Sequence, residues 1–499
     1  MKSHLQIALT LAIATLIQIP SARATNTWPG LRGPSYDGAV RDAQLFEGDG
    51  TELAIGWKRE LGSGYSLVTV DGQRIIATFQ AGPEDVVAAF DLEHGDELWR
   101  RPIGEAYPGH DGSHDGPIAT PVLSDGSVYI LSPRGDLLAF DAGNGRELWS
   151  VDLVEDLESE APFYGFSSSP LIADGVLVVE IGAGEGRAFG GFSPASGELL
   201  WTTGTDEVHY HSPVVADIGG EKHVIAVGKK TISGLNPTTG EVLWTYEHNG
   251  DDRAMGGETI VPVPSGEGRI LLMNHHPTSV MLQVTGTEPY EISELWTGGS
   301  IKSSYVIPVY FKGHLYGMNS KIFTCVDAAT GETVWRSREA GDGFPTLVGD
   351  HLVIMNKPGV LRVAEASPEG YKEVANLEVF EEHSWSAPAY ADGHIYLRSM
   401  GHLARVDLAS QAAEASDGSS WVAATGFGQF LEAVEAADDK PSVIDQYLES
   451  QTSFPIIEDS GAVHFVYRGE ATDVGIVGDM IGFRREDPMI RVAGTDLFY

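Results

Sequence analysis

Phe140-Asp141-Ala142-Gly143-Asn144-Gly145-Arg146-Glu147-Leu148-Trp149 is one copy of a unit that recurs along the chain. Phe90-Asp91-Leu92-Glu93-His94-Gly95-Asp96-Glu97-Leu98-Trp99 precedes it, and Ser193 to Trp201, Asn236 to Trp244 and Asp327 to Trp335 repeat the glycine-closed turn and its tryptophan. Trp296 marks a degenerate copy. Prolines at 121, 170, 213, 262, 308, 345 and 388 supply a second marker, each opening a short apolar run. Inside a unit, Pro121-Val122-Leu123 leads through Asp125-Gly126 to Val128-Tyr129-Ile130-Leu131, then to Leu137-Leu138-Ala139-Phe140 and the tryptophan strand. Asp-Gly readily takes the positive φ angles of a tight hairpin, and it recurs at Asp71-Gly72, Asp174-Gly175 and Asp392-Gly393. Proline at the first residue of a strand forfeits no ladder hydrogen bond. Four short strands in a period of roughly 45 residues describe a propeller blade, and the alternation and glycine turns exclude a helical solenoid.

The spacing therefore predicts an all-β chain: an eight-bladed β-propeller of four-stranded antiparallel blades over 25–410, with units starting at Leu67, Pro121, Pro170, Pro213, Pro262, Pro308, Pro345 and Pro388. Seven blades follow if one degenerate unit is misread. The last unit has no tryptophan strand after Asp407, whereas Leu53 to Leu61, carrying Trp57, belongs to no unit. Pairing the two closes the ring and removes its exposed edges. Trp57, Trp99, Trp149, Trp201, Trp244, Trp296 and Trp335 are read as repeat anchors that pack blades together, each burying ~150–250 Å². The innermost strands line the channel, so the residues ahead of the prolines should form one rim: Tyr65, Asp115, Phe166, His211, Glu258, Tyr305 and Trp385. Aromatic faces with a few ionisable groups are the composition of a ligand pocket. No catalytic residue and no metal ligand is assigned. The loop from Tyr107 to Gly116 reads as a connection, and the Ser-Pro steps lack the Gly-x-Ser-x-Gly elbow of a serine hydrolase.

Charge and targeting signals narrow location and partners. Lys2, the apolar run from Leu5 to Ile19 and Ser21-Ala22-Arg23-Ala24 form a signal peptide over 1–24, too short and too polar to span a bilayer. No cysteine near the cleavage site could carry a lipid, which places the mature chain in the periplasm or outside the cell. Against 71 acidic residues stand 32 basic ones, a net charge of -39 that repels nucleic acid and anionic lipid. Cys325, the single cysteine, cannot form an intrachain disulfide.

The Asp-Ala-x-Thr-Gly-x-x-x-Trp pattern resembles the repeat of pyrroloquinoline-quinone (PQQ)-like propellers, among them quinoprotein alcohol dehydrogenases and the propeller of the outer-membrane assembly machinery. Trp28-Pro29-Gly30-Leu31-Arg32-Gly33-Pro34-Ser35-Tyr36-Asp37-Gly38 and Phe166-Ser167-Ser168-Ser169-Pro170 are similar to segments of exported members. The dehydrogenases carry adjacent cysteines in a ring beside the quinone, with acidic residues for calcium and for the base; Cys325 alone cannot supply that ring, and no such base or ligand matches here. The resemblance implies an exported binding or scaffold propeller acting on a protein, polysaccharide or small ligand, without an assigned cofactor. The alternatives are a dehydrogenase using PQQ with calcium, and the non-catalytic N-terminal part of a secreted esterase. The esterase reading rests on the tail: a linker with short helices over 411–453, then a partial β-sandwich over 454–499. There Val477-Gly478-Asp479-Met480-Ile481-Gly482-Phe483 and Asp487-Pro488-Met489 resemble the immunoglobulin-like, glycogen-binding-related module of enterochelin-esterase-type proteins.

Overall fold

The computed structural model describes residues 27–46, 50–110, 113–184, 186–205, 210–228, 230–248, 260–273, 278–302 and 305–409, with short segments between 430 and 498. The chain divides into two units, Met1–Ser410 and Gln411–Tyr499. The first is a propeller of eight antiparallel blades. Their inner strands are Thr69–Val70, Val122–Ser124, Leu171–Ala173, Val214–Ile218, Val261–Pro264, Val309–Phe311, Gly343–Val348 and Ala389–Ala391, for blades 1 to 8 in chain order. Pro262 and Pro345 fall inside their strands, not at the first position as the spacing suggested. An innermost strand leaves one side unpaired toward the channel, so a missing N–H is tolerated along its length.

Blade faces are covered by neighbouring blades, which explains why the middle strands are apolar on both sides. In blade 1, every residue from Ile75 to Phe79 and from Asp85 to Phe90 is buried, whereas outer strand Glu97–Glu105 buries only Trp99 and Ile103. The repeated motif makes the junctions. The Trp57 Nε1–H donates to the Leu92 carbonyl of the next blade (3.0 Å), Trp99 to Ala142 (2.9 Å), Trp149 to Pro194 (2.9 Å), Trp201 to Pro237 (3.1 Å) and Trp296 to Ala328 (2.9 Å). In each case the acceptor lies three residues before the turn glycine, and that glycine presses on the same indole. A Cβ on Gly145 would lie 2.5 Å from Trp99 Cε3. The leading Asp or Asn sets the turn: Asp327 Oδ1 accepts from the Ala329 and Thr330 amides, both 2.9 Å. Blade 5 lacks the motif, so Trp244 instead donates to His223 Nδ1 of its own blade at 2.9 Å.

Glu52–Glu60 pairs antiparallel with His402–Ala409, completing blade 8 with the strand that carries Trp57. Three of the four Asp-Gly pairs form hairpin turns with both residues at positive φ, as at Asp125 (48°) and Gly126 (77°). Asp71 differs, its carboxylate accepting from the Gln73 and Arg74 amides, both 2.8 Å.

The segment ahead of the closing strand runs across the ring. Trp28 exchanges backbone hydrogen bonds with Val70 of blade 1, and Pro29 O accepts from Leu123 N of blade 2. Tyr36 OH binds the Ile172 backbone of blade 3, and Arg32 Nη1 donates to Pro262 O of blade 5. Ala39–Val40 adds a parallel strand to blade 7 at Leu347 and Val348. Arg41 Nη2 donates to Tyr310 O of blade 6 at 3.1 Å, so one short stretch touches the inner strands of six blades and floors the channel.

In the second unit, a helix spans Lys440–Ser450 with Pro441 in its first turn, where a missing N–H is harmless. Phe430 stacks on its Tyr447 at 3.8 Å between ring centres. Beyond it the described residues form three short antiparallel pairs: Ile456–Ile457 with Val463–His464, Tyr467–Arg468 with Leu497–Phe498, and Gly475–Ile476 with Asp487–Pro488.

Candidate functional site

Inner strands are knitted to one another by the residue that precedes the recurrent proline. Leu67 N donates to Thr120 Oγ1 (3.0 Å), Thr120 N to Ser169 Oγ (2.9 Å) and Ser169 N to Ser212 Oγ (2.9 Å). The Ser-Pro and Thr-Pro steps of these blades therefore serve as cross-links around the ring, which holds the channel wall in place.

Above the floor this wall encloses a cavity of about 810 Å³. Trp28, Leu31 and Arg32 form its base, and Tyr65, His110, Tyr164, Tyr210, Tyr305 and Trp385 surround it. Tyr305 and Trp385 meet edge to face, 6.2 Å between centres, and Lys357 Nζ lies 4.6 Å from the Trp385 ring centre. On the other side His110, Phe163, Tyr164 and Tyr210 form a chain of ring contacts, with Phe163 58% exposed. Burial raises the Tyr107 and Tyr210 phenols above their ordinary value, so both stay neutral at physiological pH.

Of the rim residues expected from the sequence, Tyr65, His211, Tyr305 and Trp385 line this cavity. Asp115 and Phe166 lie off its described wall. Asp115 Oδ1 accepts from Gly109 N at 2.8 Å and its carbonyl from Ser63 Oγ at 2.6 Å, which ties down the 107–116 loop. Phe166 is buried between blades 2 and 3, its ring beside Gly135. The residues differ in distance from the inner strand: Tyr65 and His211 stand two residues before the start of their units, and Tyr305 and Trp385 three, but Phe166 stands four and Asp115 six before, in loops that take other paths. Glu258 lies outside the described residues.

Arg32 was visible only as part of a family-like motif, yet it occupies the floor. Its backbone is left-handed (φ 65°), as is Gly33 (φ 75°), which folds tightly over the Trp28 indole. Burial lowers the Arg32 pKa to about 10, partly opposed by Asp37, so the side chain remains a cation. Among the described residues, its Nε and Nη2 have no hydrogen-bond partner beyond the Nη1 bond to Pro262 O, and neither has the buried Trp28 Nε1. Arg398 shows the contrast: equally buried, it donates to Ser66, Thr78 and Gly62 carbonyls and pins blade 8 to blade 1.

The family described as outer membrane protein assembly factor BamB matches residues 83–337. The chain belongs to that family. It is 27% identical over 173 residues to an outer membrane protein assembly factor BamB of Bordetella pertussis, and 26% identical over 147 residues to quinohemoprotein alcohol dehydrogenase ADH-IIG of Pseudomonas putida. The first match takes in 34% of this chain and 38% of its relative, the second 28% and 20%, so the chain spans well under half of either curated relative. Among solved structures, BamB from Moraxella catarrhalis superposes with a TM-score of 0.53 at 14% identity, covering 72% of this chain and all of that one. Quinohemoprotein alcohol dehydrogenase ADHIIG from Pseudomonas putida HK5 gives 0.52 at 12% identity, covering 77% of this chain and 80% of its own. These structural likenesses concern the propeller fold alone.

A quinone with calcium would need carboxylate oxygens for the ion. The described cavity lining holds none; its polar side chains are hydroxyls, the His110 and His211 imidazoles, the Trp28 and Trp385 indoles and Arg32, so the described donor set does not fit that pair. Cys325 lies on a middle strand of blade 6, buried beside Tyr316, and takes no part in the cavity.

Proposed function

We propose that this chain is an exported binding propeller that captures a small ligand in its axial cavity. The observation that carries this reading is the floor: the propeller's own N-terminal segment closes the ring internally, leaving a cavity of about 810 Å³ with aromatic faces. That volume is in the range of small-molecule sites, where stacking surfaces and a few polar groups fix orientation. Export follows from the sequence of residues 1–24, and N-terminal sequencing of the protein recovered from the cell envelope should begin at Thr25. No helix among the described residues is long and apolar enough to cross a membrane. The tail over 454–499 is taken as part of an immunoglobulin-like module, an assignment that rests on sequence resemblance.

A protein-scaffold role is the second reading, favoured by the family description and by exposed Leu98, Leu148, Leu200 and Leu295, each one residue before a blade tryptophan. Equilibrium dialysis against a mixed panel of small aromatic and sugar compounds, read by mass spectrometry, tests the cavity. The parent should retain a subset that Tyr305→Ala and Trp385→Ala lose, with Tyr305→Ala melting close to the parent because Tyr305 is 57% exposed, and Trp385→Ala somewhat lower because its indole also packs on Phe344. Retention unchanged in both variants, or unfolding as severe as in Trp149→Ala, would remove the cavity reading. Quinone- and calcium-dependent turnover of alcohols with an artificial acceptor would replace it by a dehydrogenase.

A further inference from the structure

We infer that the axial cavity takes a neutral saccharide, its hydroxyls met by His110, Ser167 and Trp385 and one ring face by Tyr305. The inference rests on the small-ligand reading above and adds the chemical class. Tyr107 has one phenolic proton, and its hydroxyl lies 3.0 Å from Phe163 O and 3.2 Å from His110 Nε2. A carbonyl can only accept, so the proton goes to Phe163 O, and His110 Nε2–H donates to the phenol oxygen. The neutral imidazole then keeps its lone pair on Nδ1. That nitrogen has no hydrogen-bond partner among the described residues, and it belongs to a half-buried side chain of the cavity lining whose Nδ1 packing does not seal. Ser167 Oγ and Trp385 Nε1 are in the same condition: both residues are half-buried in the lining, and neither polar atom is bonded or sealed. An acceptor, a hydroxyl and a donor thus stand uncommitted on one wall.

Charge excludes the ionic classes. Arg32 is the one Arg or Lys in the described lining, and no Asp or Glu stands there. Its Nη1 is bonded to Pro262 O, its Nε and Nη2 are closed off by packing, and Asp37 opposes its charge, so the wall offers a ligand no free ionic partner. An ion moved from water to such a wall loses solvation that nothing replaces, and an anion must also approach a chain of net charge -39. Hydroxyls suit the open atoms because each one both donates and accepts, so a single ligand class serves the imidazole, the serine and the indole N–H. Between its hydroxyls a sugar ring presents flat C–H faces, and Tyr305, 57% exposed, offers ring surface to one of them. A flat aromatic without hydroxyls would cover the rings but strip water from the three polar atoms and leave them unpaired, the costly outcome.

Calorimetric titration of the full chain with D-glucose, D-galactose, N-acetyl-D-glucosamine, maltose and cellobiose, beside D-glucuronate, D-glucosamine and 2-naphthamide, tests this. At least one neutral sugar should bind at least about tenfold tighter than the acid, the amine and the amide. For that sugar His110→Leu should lose about three- to tenfold, the share of one neutral hydrogen bond. His110→Asn should recover part of the loss, because the Asn Oδ1 acceptor stands near the place of Nδ1, and Tyr305→Ala should weaken the same sugar. Nitrogen-15 spectra of histidine-labelled protein under mildly alkaline conditions should show His110, identified by the signal lost in His110→Asn, with Nδ1 unprotonated. A proton on Nδ1, or unchanged sugar binding in His110→Leu, overturns the saccharide assignment; tighter binding of glucuronate or glucosamine than of glucose overturns neutrality. The comparison of sugars with acid, amine and amide uses the parent alone, so a poorly folding variant leaves it intact. If only 2-naphthamide binds and Tyr305→Ala releases it, the saccharide falls and the small-ligand reading stands. If nothing binds, or neither His110→Leu nor Tyr305→Ala changes what binds, both fall.

Discussion

Gly145→Ala probes the contact on which the ring is built. Two costs add at this position. Gly145 has φ 67°, where an L-residue pays ~1–2 kcal/mol. The new Cβ would lie 2.5 Å from Cε3 and 2.6 Å from Cδ2 of Trp99, an indole buried and held by its bond to Ala142 O. Displacing such a packed ring costs about 1–3 kcal/mol by the measure of overpacked cores. The variant should therefore lose about 2–5 kcal/mol. Gly126→Ala is the internal control: the same blade, φ 77°, and nothing within 4 Å of the added methyl, so only the backbone cost applies. Denaturant midpoints followed by tryptophan emission, at unchanged slope, give the difference. Gly145→Ala should fall about 1–3 kcal/mol below Gly126→Ala, and combining it with Trp99→Ala should erase that excess because the clash partner is gone. If Gly145→Ala and Gly126→Ala agree to within ~0.5 kcal/mol, the glycine is there for its backbone angle and the indole contact contributes nothing.

Ring closure and one buried acid give two further tests. Trp57→Ala removes an indole that is 6% exposed together with its bond to Leu92 O, a change of ~3–5 kcal/mol at the junction of the chain's two ends, so amides of Glu52–Glu60 should exchange faster while blades 3 and 4 keep their protection. Unchanged exchange in that strand would show that closure is held elsewhere. Burial pushes the Asp85 carboxyl up from 3.8 to about 6, against the Tyr107 amide and Arg134. The native state then holds the proton more tightly than the unfolded chain, so this residue's contribution to stability is full below pH 4 and is lost as pH rises through 6. Asp85→Asn keeps an acceptor for Tyr107 N, and should raise the melting temperature above pH 6 and flatten its pH dependence between 4 and 6; an unaltered slope assigns the titration to another group.

The repeat, the strand count per unit and the closing strand at Trp57 were legible from residue order, because most blades repeat the same local contacts, a side-chain-capped turn and a glycine under an indole, and blades 2 to 4 add a Ser or Thr ahead of the proline. Short-range chemistry of this kind leaves a periodic trace. The rim was only partly legible. Tyr65, His211, Tyr305 and Trp385 stand two or three residues before their unit starts and line the cavity, whereas Phe166 and Asp115, set further back, turn to a blade junction and a loop tie. None of these residues lies in a strand, so each loop's own path, and not alternation along a strand, sets what its side chain faces. The floor left no periodic trace at all. Arg32 meets Pro262 across 230 residues of sequence, and the segment around it occurs once and makes contacts with six different blades. Sequence order set the blades, and the ring's closure alone determined that Trp28 and Arg32 lie at its axis, since a residue on the axis is near every blade in space and near none of the distant ones along the chain.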